Sequence, residues 1–143
     1  LLDGAGLEIP DQMSGRSVLP ILGGGGRTLE DPWPDDVFVQ ISESGIGRSV
    51  RTHRWKYAVH SDNTSPGPEG AESYEEAYLY DLEVDPYELR NLIGLGSHRP
   101  VADRMKARLL RYIQEVEEQT PEIVDAEAWR SGARRVSDAE VEM

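Results

Sequence analysis

From Pro100 to about Gln119, apolar side chains recur every three or four positions, at Val101, Met105, Leu109, Tyr112, Ile113 and Val116. This spacing predicts one long amphipathic helix with a single stripe to bury. Arg104, Lys106, Arg108 and Arg111 fall on its solvated sides, and Asp103 is expected in the first turn, where a carboxylate suits the helix dipole. Upstream the period changes to two. Val37, Val39 and Ile41 share one face of a predicted strand over Val37 to Ser42, with β-branched side chains that suit a pleated surface. A second run, Ile46 to Arg51, and a third, Trp55 to His60, are separated by Thr52-His53-Arg54, short enough for a hairpin. Trp55, Tyr57 and Val59 form the more apolar face of the third run, the one expected to be buried. Ala77 to Leu82 is the fourth strand.

Between and around these elements the chain is punctuated. Leu1 to Gly6 reads as the last turn of a helix stopped by Gly6. Residues 1–35 are otherwise loop-like, with Ser17 able to cap a short turn containing Pro20, and with Gly23 to Gly26 as a flexible spacer. Residues 61–75 are rich in Ser, Gly, Pro and Glu and are expected to be a surface loop. Asp85-Pro86-Tyr87-Glu88 carries the chemistry of a helix start, with Asp85 as N-cap, Pro86 with its preset φ, and Glu88 able to reach back to the cap. Past Pro121 the pattern fades, although Asp125 to Arg130 could form a short helix docking Trp129, and Ser137 to Met143 is expected to fray.

These elements predict an α+β fold: an antiparallel sheet of about four strands, packed on one face by the long C-terminal helix. The other face would lie open, or against something outside the chain. Three stretches follow: a linker over 1–35, the sheet-and-helix domain over 36–119, and a partly ordered tail over 120–143.

Composition narrows the chemistry. A length of 143 residues suits one domain. The formal net charge of -12 repels phosphate backbones and anionic lipid, so neither nucleic acid nor a membrane is an expected partner. Cysteine is absent, which excludes disulfides, thiolate metal sites and a cysteine nucleophile within the chain. No apolar run approaches the roughly 18 residues of a membrane span. The start, Leu1-Leu2-Asp3-Gly4, has no signal-peptide layout, so compartment is left open and the chain reads as a fragment.

Two stretches go beyond periodicity. Arg51-Thr52-His53-Arg54-Trp55-Lys56-Tyr57, followed by Leu79-Tyr80-Asp81-Leu82-Glu83-Val84-Asp85-Pro86-Tyr87-Glu88-Leu89-Arg90-Asn91-Leu92, resembles the C-terminal region of the sulfatase family. In these arylsulfatase-like members of the alkaline phosphatase superfamily, R-T-x-R-[WY]-K-[YL] precedes L-Y-D-L-x-x-D-P-x-E-x-x-N-L. Leu1 to Leu7 and Gly15 to Leu22 are similar to that family's exit from its catalytic domain, so the resemblance runs from residue 1 to about residue 118. It implies a large α/β domain upstream as partner, with a formylglycine nucleophile and a divalent cation, commonly Ca²⁺, held there. The C/S-x-P-x-R and D-H-G motifs of that machinery are absent here, so no catalytic or metal residue is carried over.

What the chain could supply is a pocket rim. Arg48, Arg51, His53 and Arg54, with Glu43 and Ser44 before them, are the expected substrate-rim group, because a sulfate ester is anionic. The plainer alternative is that they face solvent or form salt bridges. His60 and His98 read as surface or cap histidines, and Tyr74, Tyr78, Tyr80 and Tyr87 as core or helix-covering aromatics. Glu69, Glu72, Glu75 and Glu76 read as a solvated acidic loop, without the spacing of a Ca²⁺ loop. The implied function is therefore a structural and rim-forming subdomain of a sulfatase, inactive by itself. A phosphonate monoester hydrolase or phosphodiesterase of the same superfamily, or a free-standing acidic interaction module, are the alternatives, and an exposed sheet face could drive self-association.

Overall fold

The computed structural model describes residues 1–13, 15–22, 34–43, 45–62 and 70–128. The chain divides into two units, Leu1–Pro34 and Asp35–Met143. In the first, a 3₁₀ turn over Asp3–Ala5 stops at Gly6, whose φ of 71° is open to glycine at no steric cost. Gly6 N–H donates to Asp3 O at 3.0 Å and Leu7 N–H to Leu2 O at 2.9 Å, so the expected glycine stop is present. A single helical turn, α1, spans Leu19–Leu22, and Ser17 Oγ accepts the Leu19 N–H at 3.2 Å. The glycine run Gly23 to Gly26 lies outside the described residues.

The second unit is an α+β layer pair. Its sheet has five strands in the order β1-β2-β3-β4-β5: β1 Val37–Ser42, β2 Ile46–Arg51, β3 Trp55–Ser61, β4 Ser73–Asp81 and β5 Glu122–Val124. The first four are antiparallel neighbours, and β5 joins β4 in parallel. The helix α2, Arg99–Glu117, covers one face. It buries Ala102, Met105, Leu109 and Ile113, the predicted stripe turned by one position, while Val116 stays exposed. Opposite them stand Val50, Tyr57, Val59 and Leu79, with Leu79, Leu109 and Ile113 fully enclosed. Removing one such side chain from water stabilises the fold by about 1.5–3 kcal/mol, so this layer holds the unit together. Phe38 of β1 stacks on Tyr112 of α2 with ring centroids 5.7 Å apart, tying the edge strand to the helix.

One irregularity decides which side chains of β4 reach the core. Tyr57 pairs with Leu79, yet Val59 pairs with Glu76, because the register shifts at Ala58/Val59. Tyr74, Glu76 and Leu79 therefore all turn toward the helix, although strict alternation would put Leu79 on the other face. This brings a carboxylate into the core, so Glu76 is buried rather than part of a solvated loop. Glu72 and Glu75 are exposed, and Glu69 lies outside the described residues.

Several expectations need correcting. The fourth strand begins at Ser73, not Ala77, and a fifth was missed. Asp85 starts a turn and no helix: its carboxylate accepts the Arg90 N–H at 2.7 Å. Glu88, at φ 57°, reaches Lys56 instead of the cap. α2 begins at Arg99, so Asp103 lies beyond the first turn and pairs with Arg99 at 2.8 Å. Residues 125–128 are not helical, and Arg130, Trp129 and Ser137 to Met143 lie outside the described residues. Tyr74 is core, but Tyr78 and Tyr87 are 49% and 83% exposed. His98 stands at the N-cap position of α2 with its ring edge against Trp55, but its side chain makes no capping hydrogen bond.

Candidate functional site: a basic cleft beside the β2–β3 turn

The turn between β2 and β3 is built by Thr52. Its N–H donates to Trp55 O at 2.8 Å, and its hydroxyl oxygen accepts the Trp55 N–H at 2.8 Å and the Arg54 N–H at 3.3 Å. His53 is thereby left exposed at the tip. Arg54 lies against the Trp55 ring, 5.0 Å from its centroid, and donates Nε and Nη2 to the Asp81 carboxylate at 3.0 and 2.7 Å. That bond first, and the neighbouring charge, hold the Asp81 carboxyl below its ordinary range.

Between this turn and α2 lies a cleft of about 400 Å³. Val101 and Met105 supply its apolar wall, and Arg104 and Arg108, one helical turn apart, its basic one. Asp36, at the start of the unit, is 8% exposed and accepts Arg108 Nη1 on both oxygens at 2.8 and 2.7 Å. Arg111 stands 3.7 Å from the same carboxylate. Arg104 donates only Nε, to Pro100 O at 3.3 Å, among the contacts of the described residues.

The predicted rim residues are dispersed by the sheet's alternation. His53 and Arg54 line the cleft. Arg51 is exposed on the face away from the helix, since its neighbour Val50 points into the core. Arg48 is 2% exposed and enclosed beneath α2, donating Nε to Glu117 at 2.5 Å and Nη1 to the carbonyls of Ile41 and Gly47. Glu43 is exposed, and Ser44 lies outside the described residues. Sequence reasoning missed Arg104, Arg108 and Asp36. The pair at i, i+4 was a visible signal, but basic residues on a helix's polar side are ordinarily solvated, and nothing local ties them to a hairpin some fifty residues earlier.

A second polar group is structural. Glu76 accepts Tyr57 Oη at 2.9 Å, Arg99 Nη1 and Nη2 at 2.7 and 2.6 Å, and the Ala126 N–H at 2.9 Å. Burial alone would raise its pKa, but these donors outweigh that, and it is held below the ordinary glutamate value. Tyr57, buried against that carboxylate, is pushed well above the usual phenol value. Lys106 adds Ile123 O at 2.6 Å and Asp125 at 2.7 Å, so β5 is fastened to the helix by charge. Among the described residues no three His, Asp or Glu side chains converge to hold a metal ion, so the cation that the resemblance implies has no ligand set among them.

Residues 1–115 match the model of the family described as N-sulphoglucosamine sulphohydrolase, C-terminal. The chain belongs to that family. As a sulphohydrolase C-terminal domain it is also similar to full-length sulfatases. It is 32% identical over 98 residues to arylsulfatase K of Rattus norvegicus, covering 64% of this chain and 16% of that protein. It is 25% identical over 118 residues to the N-acetylglucosamine-6-O-sulfatase of Bacteroides thetaiotaomicron, covering 82% of this chain and 20% of that protein. The domain thus spans about a fifth or less of the relatives it matches. In fold it is similar to a solved protein in complex with its substrate D-glucosamine-2-N,6-O-disulfate, at TM-score 0.64, 21% identity, and coverage of 84% of this chain and 23% of that one. A Bacteroides thetaiotaomicron VPI-5482 structure, described as a candidate sulfatase, gives TM-score 0.61, 25% identity, and coverage of 80% and 23%.

Proposed function

We propose that this domain is the structural and rim-forming C-terminal part of an enzyme that hydrolyses sulfate esters, and that the reacting groups stand on an upstream domain which is its partner. The observation that carries this is the family match over residues 1–115, joined to relatives named as sulfatases of which it spans only a fraction. The domain's own side chains agree with that division of labour. Its buried charged residues, Asp36, Arg48, Glu76 and Asp81, are each bonded to protein partners among the described residues. The formylglycine and Ca²⁺ that the resemblance implies would supply nucleophile and Lewis acid upstream. What this domain would do is close the pocket's edge and hold anionic substrate near it.

The face of the sheet away from α2 is the natural seat for that partner. Val37, Val39 and Ile41 are 58%, 44% and 58% exposed, and Tyr78 is 49% exposed on the same side. Between them the register lays small residues, with Val39, Ser49, Ala58 and Tyr78 in one row across the strands. Such an apolar trough is what an inter-domain interface covers.

The test is to express the domain with the upstream part of its own reading frame and compare paired aryl sulfate and phosphodiester substrates. Dominant sulfate release supports the reading. Dominant phosphodiester turnover would move the parent to the related phosphonate and phosphodiester hydrolases, and a start codon beside Leu1 would favour a separate interaction module.

A further inference from the structure

We propose that β1 is a pairing edge, at which two copies of this chain join antiparallel about Gln40 so that their five-stranded sheets run on as one. The proposal stands apart from the sulfatase reading, and it leaves free the sheet face proposed above as the seat of the upstream domain.

The register shows which backbone groups β1 offers. Thr52 N–H donates to Trp55 O, which makes Thr52 and Trp55 a hydrogen-bonded pair at the end of the β2–β3 ladder. Such pairs alternate along an antiparallel ladder, so Gly47, Ser49 and Arg51 turn their backbone groups toward β1 and bond Ile41, Val39 and Val37. Phe38, Gln40 and Ser42 therefore aim N–H and C=O outward, and no backbone group of another described segment meets them. Exposed edges are ordinarily blunted by charge, proline or a bulge. Residues 37–42 have no charged residue and no proline, and their pairing with β2 is unbroken.

A second copy fits this edge in one register. Pairing Gln40 with its own counterpart sets Phe38 against Ser42 of the other copy, so all three outward residues of each copy find partners; a shift of two in either direction loses one. Between them, Val39 meets Ile41 of the other copy in close, non-hydrogen-bonded pairs, and these side chains are 44% and 58% exposed in the single chain. Charge agrees. Arg51 lies directly opposite Lys56, and among the described residues it has no ion pair of its own, whereas Lys56 is held by Glu88. In this register the exposed Glu43 of the other copy stands opposite Val37, in one row with Arg51. Two strand spacings, about 10 Å, separate the two backbones, a gap that an arginine and a glutamate extended toward each other bridge. The two-fold axis makes this contact twice. It offsets in part the long-range repulsion between copies of net charge -12.

The interface is small, so a dissociation constant on the order of 100 µM is expected. The experiment is sedimentation equilibrium of the full chain over a concentration series, with amide hydrogen exchange followed by NMR. The amides of Phe38, Gln40 and Ser42 should exchange more slowly as concentration rises, while those of Val39 and Ile41, already bonded to β2, should not change. Glu43→Arg or Arg51→Glu alone should weaken the dimer about fivefold or more, and the two together should restore it. Gln40→Pro removes the N–H at the axis and Gln40→Ala keeps it, yet both lose the side-chain bond to Glu117, so only the proline should abolish pairing. Urea unfolding confirms that each variant is folded. A monomer at every concentration, outward amides indifferent to concentration, no recovery in the double swap, or association that Val39→Lys removes and Gln40→Pro does not would overturn the proposal.

Discussion

Arg48 of β2 and Glu117 at the end of α2 meet at 2.5 Å with side chains only 1% and 9% exposed, locking the helix's last turn to the sheet. Gln40 of β1 donates to the same carboxylate oxygen, so three elements join at one point. The second oxygen, Glu117 Oε2, is buried without a hydrogen bond among the described residues. Arg48→Met would leave that carboxylate buried and uncompensated, with an expected loss of about 3–5 kcal/mol in urea unfolding. Pairing it with Glu117→Leu should recover much of the loss, because two well-packed apolar groups need no partner. A double-mutant cycle measures the coupling.

Gly70 borders the same polar pocket. A Cβ there would stand 2.7 Å from both Glu117 Oε2 and Tyr74 Oη, neither of which can swing away freely: Glu117 is held by Arg48, and Tyr74 accepts the Ala71 N–H. Gly70→Ala should therefore destabilise by about 1–3 kcal/mol, the ordinary cost of overpacking, seen as a lowered Tm.

Acid should weaken the fold through Glu76. Its folded pKa lies below the unfolded glutamate value, so its contribution is present above that value and is lost as pH falls through the folded one. Asp81, bonded by Arg54, and Asp125, bonded by Lys106, are shifted the same way and add to the effect. Stability measured from pH 6 downward should fall below about pH 4, near the ordinary carboxylate values. Glu76→Gln should be less stable at neutral pH and show a shallower acid dependence; an unchanged slope would contradict the assignment.

Val39 tests the open face. At 44% exposure it contributes little to the isolated fold, so Val39→Lys should shift stability by no more than about 0.5 kcal/mol. Without the upstream partner proposed above, the wild-type chain should self-associate through this face, and the lysine should suppress that in sedimentation runs at rising concentration.

The layered fold was legible because its two periods are unambiguous: two in the runs around Val39 and Tyr57, and three to four from Val101 to Ile113. What failed was non-local. β5 has one inward apolar side chain, Ile123, and is placed by Lys106, Glu76 and Glu72, which no local pattern announces. The Asp85 turn has every signal of a helix start, but Glu88 adopts a left-handed φ of 57° and pairs with Lys56, ending any helix there. The candidate site was half legible. His53 and Arg54 were visible as a basic hairpin, whereas Arg104 and Arg108 join them only once α2 crosses the turn.

Sulfate release is the direct measure of the division of labour at the centre of this account. The purified 143-residue chain and the same chain extended upstream in its reading frame should be compared on an aryl sulfate with Ca²⁺ present. The short chain is expected to release none and the extended one to turn over. Turnover by the short chain, or an extended protein inert toward every sulfate ester while folded, would contradict it.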